Sequence, residues 1–142
     1  MSSPPPAKLG KLDFTTLSEF RYQMRRFERF SDDVIQAHGI TPLQYLLLLH
    51  IKGFPGRDWA TVGELAERLP AKPHGVVALI TRCEAAGLVE RRHSHADRRR
   101  VEIHLLGDGE AMLAKLAQLH RSELLSLEGV FAIPKLTGER HE

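Results

Sequence analysis

The side chains with the most chemistry to offer crowd into residues 90–100. Arg91, Arg92, Arg98, Arg99 and Arg100 are offset there only by Glu90 and Asp97, a surplus of three positive charges where the whole 142-residue chain has a surplus of two. Guanidinium groups at that density suit phosphate oxygens. A charge run alone reads as readily as a solvated basic turn, so the surroundings must decide. His93, His95 and Asp97 spell His-x-His-x-Asp, a pattern used by zinc hydrolases. The next position of that pattern is a histidine, whereas here Arg98 begins a run of arginines that would repel a dication. The eight histidines could still supply a regulatory metal site, for example from His38, His50 and His120. They have no close ligand spacing, and ordinary partly buried imidazoles are the simpler reading. No glycine-rich phosphate loop and no Ser-His-acid set stands out. The chain is therefore not expected to be an enzyme, and no catalytic residue, cofactor or metal is assigned.

Cys83 is the single cysteine, which excludes an intramolecular disulfide and fits a reducing cytoplasm. A redox switch would need an exposed thiolate. Helical phase instead sets Cys83 with Val76, Leu79 and Ile80 on an inward stripe.

The elements that must position these groups follow from pattern and punctuation. The chain is 42% hydrophobic and 27% charged, as expected of one ordinary globular domain. Its apolar runs, such as Leu46–Leu49, are far too short to span a membrane. Residues 1–13 read as a Pro-rich flexible leader without the charge and apolar core of a secretory signal. Capping boxes at Thr16-x-x-Glu19, Thr41-x-x-Gln44 and Thr61-x-x-Glu64 announce three helices. The first is expected over about Leu17–Ala37, with an apolar stripe through Leu17, Phe20, Met24, Phe27, Ser31, Val34 and Ile35. The second, Pro42 to about Lys52, is apolar nearly all round. Asp58-Trp59-Ala60 suits a very short strand, with Trp59 packing in the core or against the basic hairpin. A third helix spans Val62–Leu69. After the turn at Pro70–Pro73, a fourth runs to about Ala86, stopped by Gly87.

The period then changes. Leu88–Arg92 and Arg100–Leu105 read as two strands, the second alternating strictly, with His93–Arg99 as the hairpin tip. Gly107-Asp108-Gly109 leads into a long helix, Glu110 to about Leu127. The result is mainly α with a small β-hairpin: a winged helix-turn-helix, about residues 41–108, between long helices at about 17–37 and 110–136. A helix of this kind fits the major groove of DNA, and a basic hairpin fits phosphates or the adjacent minor groove. Lys72, His74, Gly75 and Ala78 occupy the exposed N-terminal part of the second helix of the pair. Lys72 and His74 read equally as base-reading or merely solvated side chains. Thr81 and Arg82 lie further along, toward phosphate, and Arg91, Arg98, Arg99 and Arg100 belong to the wing.

Four segments now form an ordered set: Leu65-Ala66-Glu67-Arg68-Leu69, Cys83-Glu84-Ala85-Ala86-Gly87-Leu88-Val89-Glu90-Arg91, Asp97-Arg98-Arg99 and Leu105-Leu106-Gly107-Asp108-Gly109. Together, over about residues 17–127, the chain resembles the multiple-antibiotic-resistance-regulator (MarR) family. That resemblance implies a cytoplasmic homodimer on pseudo-palindromic double-stranded DNA. It implies a transcriptional regulator, usually a repressor, often released by a small aromatic or phenolic effector. It also implies that Asp97 braces the wing arginine Arg99. The chain departs from the family pattern at Cys83, where leucine is common, and at Leu106, which replaces a capping threonine and leaves that work to Asp108. Its tail after Leu127 is short.

The long apolar stripes exceed what one small core can cover, which suggests a second chain. Leu17, Phe20, Leu116, Leu124, Leu127 and Phe131 are the expected dimer residues, with Val130, Ile133 and Leu136 helping to close the interface. Arg21, Arg25, His38 and His50 are candidates to line an effector cleft. Two rival readings stand beside this one: a winged-helix protein-interaction module that does not bind DNA, and a regulator that senses redox state or metal.

Overall fold

The computed structural model describes residues 3–129 and 131–138. Five helices, α1 (Lys11–Ala37), α2 (Pro42–Lys52), α3 (Val62–Arg68), α4 (Pro73–Ala85) and α5 (Gly107–Ser126), surround three strands, β1 (Trp59–Thr61), β2 (Val89–His93) and β3 (Val101–Leu105). The strands form one antiparallel sheet in the order β1-β3-β2, with Ala60 opposite Ile103 and Arg91 opposite Ile103. This is the winged helix expected from the sequence, mainly α with a hairpin wing. No described helix is long and apolar enough to cross a membrane.

Two of the three capping boxes form. Thr41 Oγ1 accepts from the Gln44 amide at 3.1 Å while the Thr41 amide donates to Gln44 Oε1 at 2.9 Å. Thr61 and Glu64 repeat the exchange at the start of α3. The Thr16–Glu19 box does not form, because the helix has already begun. The Gly10 amide donates to Asp13 Oδ2 at 3.0 Å, a stronger start signal that sets the helix at Lys11 instead of Leu17. Thr16 and Glu19 instead bond within the helix, to the Leu12 carbonyl and to Gln23. Residues 11–13, expected in the flexible leader, are therefore helical.

The core gathers Ile35, Leu47, Leu48, Ile51, Leu65, Val76, Leu79, Ile80, Cys83, Val89, Ile103 and Leu116, each almost wholly buried. Burying each large apolar side chain stabilises the fold by about 1.5–3 kcal/mol relative to leaving it exposed. Between α4 and β2, Gly87 turns the chain at φ +75°, a region costly for residues with a Cβ. Gly109 is needed for close approach instead. A Cβ there would lie 2.1 Å from the Leu88 carbonyl oxygen, so its absence lets the start of α5 press onto the wing's root. Leu106 holds the N-cap of α5 without a side-chain bond. Asp108 sits inside the first turn, so it complements the helix dipole rather than capping.

α5 ends at Ser126, within a residue of the expected Leu127, so the flanking segment expected to reach about residue 136 is not helical to its end. Gly129, at φ +81°, lies just past this end, and the chain returns along α1. Phe131 stacks on Phe20 with ring centroids 5.3 Å apart. Asp13 Oδ1 accepts from the Thr137 and Gly138 amides at 2.8 and 3.3 Å. The tail is thus a strap rather than a fuller last helix. Val130 lies outside the described residues.

Candidate nucleic-acid interface

α4 begins where Pro73 takes the first helical position, after Lys72 at the N-cap. Val76, Leu79, Ile80 and Cys83 point into the core, and that fixes the opposite face outward. Lys72, His74, Ala78, Thr81 and Arg82 are exposed, with Gly75 half-buried among them. The helix therefore presents two cations and an imidazole around a small-residue surface, a form able to enter a groove without steric obstruction. Val77, 45% exposed, adds an apolar contact on the same helix.

The wing is tied to this helix by Arg91. Its Nη1 donates to Glu84 Oε1 at 2.7 Å and its Nη2 to Thr81 Oγ1 at 2.9 Å, while its backbone amide donates to Glu84 Oε2 at 3.1 Å. Expected as a phosphate contact, Arg91 instead serves as a brace from β2 to α4. Thr81 is engaged by the same guanidinium. The cause is spacing: the turn at Gly87 folds β2 back beside α4 and brings opposite charges together. Sequence reading does not single out Glu84, although an acid and a base flanking the Gly87 turn are a visible signal. Arg92 is likewise taken by a carboxylate, that of Glu90.

The wing tip is built from its own polar groups. Ser94 is buried, and its hydroxyl accepts from the Ala96 and Asp97 amides at 3.2 and 3.3 Å. Asp97 Oδ1 accepts from the Arg99 amide at 3.0 Å, so the acid braces the backbone of Arg99 rather than its side chain. Arg98, Arg99 and Arg100 are exposed, and none has a carboxylate within 4 Å among the described residues. Two of these guanidiniums are open to solvent, while that of Arg100 lies 4.8 Å from the Trp59 ring centroid.

The other expected residues distribute less simply. Leu116 is completely buried within this chain's own core, because α5 packs its first turns against α2 and the sheet, so it is not available to a partner. Leu17, Phe20 and Leu127 are half-buried, whereas Leu124 and Phe131 are 55% and 42% exposed. The residues Phe27, Leu124, Leu125, Leu127, Glu128 and Phe131 line an apolar groove of about 430 Å³. None of the effector candidates Arg21, Arg25, His38 and His50 lines this groove. Arg21 and His38 sit at positions separated by roughly 25 Å of helix rise, and His38 Nδ1 meets the Val34 carbonyl at 2.8 Å. Burial and the charge of Arg68 push the His50 imidazole below its usual range.

His120, raised as a metal ligand, is buried and satisfied. Its Nδ1 donates to the Leu116 carbonyl at 2.7 Å, Ser31 Oγ meets its Nε2 at 2.7 Å, and its ring stacks on Tyr45 at 5.0 Å. It joins α5 to α1 and α2, a role that only the fold reveals. His38, His50 and His120 do not gather, and no cluster of His, Cys, Asp or Glu able to hold a metal occurs among the described residues. Cys83 is fully buried, and burial pushes its thiol up to about 11.

A MarR-family model matches residues 38–100. The chain is 29% identical over 87 residues to the HTH-type transcriptional repressor MdtR of Bacillus subtilis, covering 59% of this chain and 54% of that protein. It is 30% identical over 98 residues to the putative transcriptional regulatory protein for the hcr operon of Thauera aromatica, covering 69% of this chain and 57% of that protein. The chain thus spans a little over half the length of the curated relatives it matches. Among solved structures it is similar to AbsC, a MarR family transcriptional regulator from Streptomyces coelicolor, with a TM-score of 0.73 and 22% identity over 91% of this chain and 86% of that one.

Proposed function

We propose that this chain, whose residues 38–100 match a MarR-family model, is a MarR-type sequence-specific DNA-binding transcriptional regulator rather than an enzyme. The observation that carries the proposal is the Arg91 brace. It fixes a helix with an exposed, groove-sized face and a hairpin with unpaired arginines as one unit, which is the arrangement needed to read a major groove and hold the neighbouring backbone. Lys72, His74, Gly75 and Ala78 face the bases. Arg82, Arg98, Arg99 and Arg100 serve phosphates or the minor groove, Asp97 and Arg91 position them, and Thr81, expected beside Arg82, is engaged by the Arg91 guanidinium and the Val77 carbonyl.

The protein acts in the cytoplasm as a homodimer that represses transcription until a small aromatic effector releases it. The division that fits is a leader, a winged helix over about residues 41–108, and flanking dimerisation segments. Leu12, Leu124, Leu125 and Ile133, between 55% and 89% exposed, carry much of the apolar surface that a second copy would cover. Two such winged helices would meet half-sites about one DNA turn, roughly 34–36 Å, apart. The test is binding to DNA upstream of the protein's own and neighbouring genes against random duplex at two salt concentrations. Preference for one upstream region, weakening with salt, is the expected result. Equal and salt-insensitive affinity for both would overturn the reading.

A further inference from the structure

Outside α4 and the wing tip, arginines and aromatic rings collect where the loop after α2, the end of α3 and the root of the wing meet. The Arg57 guanidinium carbon lies 3.8 Å from the Trp59 ring centroid and 4.3 Å from that of Phe54. Arg68 lies 4.7 Å from the Phe54 centroid, and Arg100 lies 4.8 Å from that of Trp59. The Trp59 ring is held in turn against His104 on β3. Phe54 packs on the core. The rings are therefore fixed mounts, and stacking on them orients planar guanidinium groups at reduced entropic cost.

The charge of this cluster is neutralised only in part. Glu64 takes Arg57, and Asp58 is drawn to Lys52 at 3.8 Å. Neither Arg68 nor Arg100 has a carboxylate within 4 Å among the described residues, and both are exposed. Burial, and after it the charge of Arg68, lowers the pKa of the His50 imidazole. Arg100 belongs to the wing hairpin, so the cluster is continuous with the basic hairpin rather than a separate island.

We propose that Arg68, mounted on Phe54, joins the wing's Arg100, mounted on Trp59, to form a second phosphate-binding surface that extends the duplex contact beyond α4 and the wing tip, with Arg57, paired to Glu64, holding the two rings together. The ligand is the DNA sugar-phosphate backbone flanking the base-reading site. This rests on the DNA-binding reading and adds to it a footprint the wing tip alone does not provide. It also assigns the only tryptophan a position next to bound DNA.

The experiment uses the intact protein, Arg68→Gln and Arg99→Gln with a random-sequence duplex longer than the footprint of two winged helices, because phosphate contacts do not depend on sequence. Arg68 is exposed and makes no ion pair among the described residues, so its variant keeps the fold, and thermal unfolding verifies this. Loss of one phosphate contact should flatten the slope of log affinity against log salt by about 0.9 for Arg68→Gln, and saturating duplex should change Trp59 emission in the unaltered protein. An unchanged slope for Arg68→Gln, or emission indifferent to duplex, overturns the proposal. If the slope falls for Arg99→Gln alone, the DNA-binding reading stands and this surface fails. If the unaltered protein binds no duplex, both fail.

Discussion

Replacing Arg91 by alanine separates bracing from binding. The substitution removes a bond to Glu84 at 2.7 Å and one to Thr81 at 2.9 Å, with side-chain exposures of 31% for Arg91 and 40% for Glu84. A partly exposed ion pair contributes about 0.2–1 kcal/mol, and a charge-assisted bond to a hydroxyl adds a comparable amount. Arg91→Ala should therefore destabilise the fold by about 1–2 kcal/mol. At this chain length that is roughly a 3–8 °C fall in Tm, measured at fixed protein concentration because the proposed dimerisation would make Tm depend on it. DNA affinity should also fall, since the wing loses its fixed angle to α4. With the Arg91 guanidinium occupied by Glu84 and Thr81, the slope of log affinity against log salt should stay as in the unaltered protein. An unchanged Tm together with a slope flattened by about 0.9 would refute the reasoning and return Arg91 to the backbone-contacting set.

Three further outcomes follow from the packing. Cys83, fully buried with its thiol pushed up to about 11, should react with a thiol reagent only as fast as the protein unfolds; rapid labelling of native protein would reopen the redox reading. Gly109→Ala forces a Cβ to 2.1 Å from the Leu88 carbonyl and should cost about 1–3 kcal/mol in denaturant unfolding. Backbone amides of Gly10, Thr137 and Gly138 hold the Asp13 carboxyl below its usual value of 3.8. A depressed pKa stabilises above the unfolded value and is lost as pH falls through the folded one. Asp13→Asn should therefore lower stability from about pH 5 upward and match the unaltered protein in stronger acid.

The winged helix is readable because its signals are local and agree with one another. The Thr41 and Thr61 boxes, the inward stripe of Val76, Leu79, Ile80 and Cys83, and the alternation at Val101–Leu105 each specify one element without knowledge of the rest. The start of α1 falls earlier than the sequence suggests because two signals compete. Thr16 and Glu19 have the right spacing, but Asp13 gains additional amides from Thr137 and Gly138 at the other end of the chain. No local pattern contains that contact. The same limit explains Arg91 and Leu116. Composition marks an arginine as basic and a leucine as apolar, whereas only the fold shows that one is held by Glu84 and the other is covered by its own chain. Trp59 is legible as a packing residue, but its place beneath Arg57 and Arg100 depends on β1 pairing with β3.

The central claim is that unpaired wing arginines and the exposed face of α4 engage DNA together. The most direct test measures affinity against salt for the intact protein and for Arg98→Gln/Arg99→Gln, each with an upstream duplex and a random duplex. The account predicts that the double variant folds normally and flattens the slope by about 1.8, or about 0.9 for each contact, on both duplexes. It also predicts that the variant keeps most of the preference for the upstream duplex, because that preference comes from α4. Equal slopes for the two proteins, or no preference in the intact protein, would contradict it.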